Sequence, residues 1–96
     1  MENRYTIEID MKHHFIRKSS CLDIFDLLKA KCKINGIQED NPEITYTNSN
    51  DNAVICEEGK IKGVGKGISQ ITLDYHGQKE TTNIYVDYEI INGQLV

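Results

Sequence analysis

The stretch ITYTNSNDNAVICEEGKIKGVGKGISQITL, residues 44–73, decides the fold, because apolar residues recur in it at alternate positions between clusters of turn formers. Ile44 and Tyr46 alternate with polar neighbours, which predicts a strand over 43–47. Pro42 lies just before it, where a missing N–H removes no ladder bond. Asn48-Ser49-Asn50-Asp51-Asn52 reads as a loop, since short amide and carboxylate side chains bond local backbone in competition with sheet pairing. Val54 and Cys56 mark a short strand. Glu58-Gly59 then turns the chain into Lys60-Ile61-Lys62-Gly63-Val64, and Gly65-Lys66-Gly67 turns it again into a strand carrying Ile71, Leu73 and Tyr75.

Toward the N-terminus, Tyr5, Ile7, Ile9 and Met11 alternate with Thr6, Glu8, Asp10 and Lys12, predicting a first strand near residues 4–11. Residues 12–20 interrupt the alternation, as a kinked or sheet-switching edge does. From Leu28 onward, Leu28, Ala30, Cys32 and Ile34 share one face and Lys29, Lys31 and Lys33 the other, which favours a strand. A helix over 22–34 is the competing reading, because Leu22, Phe25, Leu28 and Lys29 also lie at helical spacing. Asn35-Gly36 ends this segment in a hairpin turn. Toward the C-terminus, His76-Gly77-Gln78 is a turn, and Ile84, Val86, Tyr88 and Ile90 form a last long strand. About seven short strands, with turn signals every 8 to 12 residues or so, predict an all-β fold with two packed sheets.

The 96 residues make one domain, 1–96, with room for a single core. Eleven Lys plus Arg against fifteen Asp plus Glu give a net charge of -4, which disfavours nucleic acid and anionic lipid as partners. No apolar run is long enough to insert in a membrane, and Met1-Glu2-Asn3-Arg4-Tyr5 leads into a strand pattern, so no export signal is expected. Cys21, Cys32 and Cys56 are odd in number and lack C-x-x-C spacing, so they are read as reduced thiols packed as small hydrophobes.

Ile44-Thr45-Tyr46-Thr47-Asn48-Ser49-Asn50, Val54-Ile55-Cys56, Gly59-Lys60-Ile61, Gly63-Val64-Gly65-Lys66-Gly67 and Ile71-Thr72-Leu73 together resemble the bacterial immunoglobulin-like domains of group 2. The specific part covers 44–73 and the looser signature core 20–88, leaving 1–19 as a first strand and edge segment. Tyr46 stands where that family has Trp, which introduces a hydroxyl in need of a partner. The resemblance implies an immunoglobulin-like two-sheet β-sandwich of about seven strands, with no shared active site and no transferable binding residues. It also implies extracellular or virion-surface modules.

Chemical motifs are weak throughout. Gly67 follows Lys66 where a phosphate-binding Walker loop needs Ser or Thr, and a strand rather than a helix comes next, so a structural turn is expected. His13 and His14 are adjacent and point to opposite faces of a strand, so they form no joint metal site, and His76 lies in a turn. Asn48 to Asn52 lacks the spaced carboxylates of a calcium loop. Neither cofactor nor metal nor catalytic set is expected. Lys29, Lys31 and Lys33, extended by Lys60, Lys62 and Lys66 if their strands are neighbours, offer a basic face for an acidic partner, against the plainer reading of a solvated outer face.

The expected function is a non-catalytic structural or interaction module. Met1, the missing signal peptide and the three thiols favour a small phage virion accessory protein of capsid or tail, assembled in the bacterial cytoplasm, with other virion subunits as partners. The alternative is an adhesion or spacer domain at a bacterial cell surface, contacting a host protein or glycan.

Overall fold

Asn35-Gly36, Glu58-Gly59, His76-Gly77 and Asn92-Gly93 each hold positive φ at both residues, 52° and 81° in the first and 50° and 87° in the third. That pair of left-handed conformations makes a tight turn whose twist matches antiparallel strands, so each pair closes a hairpin. The first three are the turns expected from the sequence. The fourth builds a hairpin that the sequence reading had merged into one long strand.

A computed structural model describes residues 2–96. In chain order the elements are β1 (Tyr5–Glu8), β2 (His13–Ile16), β3 (Cys21–Asp23), α1 (Ile24–Leu28), β4 (Lys31–Ile34), β5 (Ile37–Gln38) and β6 (Thr45–Asn48). They continue as β7 (Val54–Glu57), β8 (Lys60–Gly63), β9 (Gly67–Tyr75), β10 (Gln78–Val86), β11 (Ile90–Ile91) and β12 (Gln94–Leu95). The described residues are therefore all-β, with one short helix among them. Its strands form four hydrogen-bonded sheets, ordered β1-β4-β5, β2-β10-β9-β6, β3-β8-β7 and β11-β12.

Twelve strands, where about seven were expected, arise by subdivision. The expected strand over 4–11 stops at Glu8, and the chain crosses to another sheet, where β2 runs parallel to β10 with Phe15 opposite Tyr85. A sheet-switching edge was expected over 12–20; the chain crosses earlier, over 9–12, and crosses again between β2 and β3. The expected strand from Leu28 starts only at Lys31. Before it, Asp23 caps α1, accepting from the N–H groups of Phe25 at 2.9 Å and Asp26 at 3.2 Å, and Lys29 ends the helix at φ 50°. The helical alternative thus holds for one turn, and the strand reading for Lys31 to Ile34.

The core is one cluster. Ile7, Ile16, Ile24, Leu28, Cys32, Val54, Ile61, Ile71, Leu73, Tyr75, Ile84 and Val86 are buried in it, drawn from α1 and the three larger sheets. Two polar side chains share this interior and are satisfied: the Ser69 hydroxyl donates to Asn48 Oδ1, and Thr82 Oγ1 donates to the Met11 carbonyl at 3.4 Å. Tyr46 packs against the core, and its hydroxyl accepts the Gly59 N–H at 2.8 Å, so this partly buried phenol has a hydrogen-bond partner. Asn48 and Asn50 brace the 48–53 loop, with Asn48 Nδ2 donating to the Val54 carbonyl at 2.7 Å and Asn50 Nδ2 to the Ile68 carbonyl at 3.1 Å.

Candidate functional site

Alternation along β9 and β10 turns Ser69, Ile71, Leu73, Tyr75, Thr82, Ile84 and Val86 inward. The intervening residues therefore line the outer face of the four-stranded sheet. Register then lines up Phe15, Tyr85 and Ile68 in one row across β2, β10 and β9. Phe15 is 48% exposed and Ile68 40%, unusual for side chains of that size in a face with nothing packed upon it. The Phe15 and Tyr85 rings stack at 4.8 Å between centroids with 28° between planes. His13 Nδ1 lies 3.0 Å from the Tyr85 hydroxyl, and Tyr88 meets the Tyr85 ring edge to face at 6.4 Å. Lys66 Nζ stands 5.0 Å over the Tyr88 ring, a cation–π contact that holds it at this end of the sheet.

The C-terminal hairpin follows the end of β10, beyond Tyr88. Glu89 and Val96 exchange two backbone bonds of 2.8 Å, so the arm runs from 89 to 96. Its base is tied down by Arg17, whose guanidinium donates to Glu89 at 3.0 Å, and by the Lys18 N–H, which donates to Asp87 at 3.0 Å. Among the described residues nine large apolar side chains are exposed, and six of them (Phe15, Ile68, Ile90, Ile91, Leu95 and Val96) gather at this one end. Scattered apolar residues are ordinary on protein surfaces, but a clustered set with aromatic centre is the composition of contact surfaces.

The basic face expected from the sequence is not assembled as one row. Lys31 and Lys33 lie on β4 and Lys60 and Lys62 on β8, strands of different sheets. Glu8 stands opposite Lys31 in register and Glu57 opposite Lys60, while Lys62 reaches Glu57 at 3.4 Å. Lys29 and Lys31 border a shallow cleft with Glu8 and Asp10, so that surface is of mixed sign. Lys66 alone of the six belongs to the aromatic end. Alternation predicts that a lysine points outward, but only pairing decides what stands beside it.

His13 and His14 face opposite sides of β2, and among the described residues no three His, Cys, Asp or Glu side chains converge as metal ligands. Gly63 ends β8 and Gly67 opens β9, so the glycine-rich segment is a connection between strands. The aromatic end was missed from sequence because Phe15 fell in the interrupted segment and Tyr85 between two core residues. The legible signal was Tyr85 and Tyr88 beside the unused turn pair Asn92-Gly93.

Away from this end, the three cysteines are free thiols, Cys21 exposed and Cys32 buried. Burial, with the charge of Glu39 adding, pushes the Cys32 thiol up to about 11, and burial also raises Cys56. Tyr75, wholly enclosed and donating to Glu39 at 2.6 Å, has its phenol raised above the ordinary range by burial first and that hydrogen bond second. All three hold their protons more tightly when folded; the contribution of Cys32 is complete below the ordinary thiol value of 9.0 and is lost as pH climbs toward about 11. The melting temperature should accordingly fall between pH 8.5 and 10.5 or so, and alkylation followed by mass spectrometry should modify Cys21 first and Cys32 last. A flat melting profile together with equal labelling rates would contradict this environment.

A scan against protein-family models finds no match for this chain, and a search of curated proteins finds no relative of it.

Proposed function

We propose that this chain is a non-catalytic immunoglobulin-like module that works by protein contact through the aromatic end of its four-stranded sheet. The clustering of six of nine exposed large apolar side chains at that end carries the reading. Strand order supports the fold assignment. β6, β9 and β10 are paired as the C, F and G strands of an immunoglobulin-like sandwich are. β8 and β7 then correspond to E and D, β1 to A, and β3 with β4 to a B strand broken by α1. A setting in a phage virion is what the resemblance to group 2 domains adds, and it favours proteins over glycans as partners.

The test is a photo-cross-linking analogue, benzoylphenylalanine, placed at position 15 in the cells that make the chain, with position 47 as control. Thr47 is exposed on β6 of the same sheet, remote from the aromatic row. Protein adducts well above the control are expected from position 15. Equal or absent adducts at both positions would remove the contact face.

A further inference from the structure

Resting on that contact-face reading, the structure points to the identity of the partner: we propose that it is a second copy of this chain, with the 89–96 arm of each protomer lying across Phe15, Tyr85 and Ile68 of the other.

The arm is an element without enough support of its own. Its strands are two residues each, paired Ile90 to Leu95 and Ile91 to Gln94, and they contact chiefly one another. An isolated two-stranded hairpin is marginal in water unless it packs on something. Ile90 is 61% exposed, and Ile91, Leu95 and Val96 are exposed with it. The molecule is drawn out accordingly, with extents of 51 × 28 × 19 Å and a radius of gyration of 14.4 Å. A compact chain of this length has a radius near 12.5 Å by the usual scaling, that is, about 2 Å less.

The platform matches the arm in size and chemistry. The row from Phe15 to Ile68 crosses two strand spacings, about 9–10 Å, and half of the arm, four residues from Glu89 to its turn, extends about 13 Å at ordinary strand rise. One arm therefore spans one row. Neither surface is covered within the protomer, and both occur once per chain, so a twofold exchange covers two arms and two platforms together. Each protomer then contributes both its arm and its row, whereas the row by itself, with three side chains, falls well short of the ~800 Å² per partner of a stable interface.

Charge permits this pairing on a chain of net -4. Arg17, Lys18 and Lys66 surround the arm base, and the carboxylates there are engaged, Glu89 by Arg17 and Asp87 by the Lys18 N–H. The contact end is locally balanced. The acidic excess lies elsewhere on the molecule, so two copies meet without strong like-charge opposition.

Mass in solution, measured by sedimentation from micromolar to millimolar concentration, should show a monomer–dimer equilibrium for the natural chain. Two double variants dissect it: an arm variant, Ile90→Ser with Leu95→Ser, and a platform variant, Phe15→Ser with Ile68→Ser. None of the four positions belongs to the core, so both variants should stay folded, as far-UV circular dichroism checks, with some loss of melting temperature in the platform variant from the lost stacking on Tyr85. Each alone should raise the dimer Kd by about tenfold or more. An equimolar mixture restores one intact contact, the arm of the platform variant on the platform of the arm variant, and should dimerise more tightly than either variant alone.

A natural chain that stays monomeric at millimolar concentration overturns the proposal, as does a dimer indifferent to the arm variant or a mixture no tighter than its components. Cross-links from position 15 to a different protein, combined with a monomeric natural chain, would sink the second copy while leaving the contact face standing. Loss of position-15 cross-links altogether removes both.

Discussion

Leu28→Ala should lower the free energy of unfolding by about 4 kcal/mol, as expected for a leucine emptied from a core that cannot collapse around the gap. Leu28 is 0% exposed, and it belongs to the cluster shared by α1 and the three larger sheets. Its surroundings are fixed from both sides. The Leu28 carbonyl accepts the Asp10 N–H at 3.0 Å, and Lys29 turns the chain at φ 50° immediately afterwards. Neither segment can move inward to fill the space without breaking that bond. A domain of this size has some 5–15 kcal/mol of stability, so much of it should disappear. Urea denaturation followed by circular dichroism measures the loss, and a shift below about 1 kcal/mol would place Leu28 outside the core.

Gly63→Ala should be nearly as damaging, at about 3 kcal/mol, through overpacking. An added Cβ would stand 2.5 Å from the Arg17 carbonyl oxygen and 3.4 Å from the Lys18 Cα. The obstruction is backbone, and it is clamped there: the Ser19 N–H donates to the Gly63 carbonyl at 2.8 Å and the Gly63 N–H to the Ser20 carbonyl at 3.0 Å. Relief of the clash therefore requires giving up one or both bonds. Gly77→Ala is the comparison, because nothing lies within 4 Å of its Cβ position and only its φ of 87° opposes the change. That variant should lose about 1 kcal/mol. Equal losses at both positions would mean that conformation, and not the approach of residues 17–18, governs Gly63.

Gly63 also shows how far sequence reading extends. A glycine in an alternating segment leaves room for close backbone approach, but that what approaches Gly63 is the 17–20 segment, more than forty positions away, cannot be read from the chain. Leu28 shows the opposite case. Its apolar character announced burial correctly, while the strand drawn through it was displaced by an Asp23 cap and a left-handed Lys29, local features that a continuous alternation conceals. Helical and strand spacing coincide over a single turn, so periodicity could not separate them.

The candidate site was less legible than the fold. Lysines 29, 31, 33, 60, 62 and 66 stand out in the sequence because they are charged and regularly spaced, yet β4 and β8 are not hydrogen-bonded neighbours, and several of the lysines stand beside carboxylates. Phe15, Tyr85 and Ile68 are separated by up to 70 positions and carry no spacing in common. They become one row only when β2 is laid parallel to β10.

What the sequence by itself determined was the all-β class, the hairpin turns at Asn35-Gly36, Glu58-Gly59 and His76-Gly77, and the apolar inward residues of β9 and β10. These follow from the two-residue period of a strand and from the few residues that accept positive φ, both local properties. Tertiary structure alone decided which strands share a sheet, and therefore which outward residues become neighbours. Pairing partners are chosen by the burial of opposite faces across the whole chain, so the exposed row and the arm beside it exist only once that choice has been made.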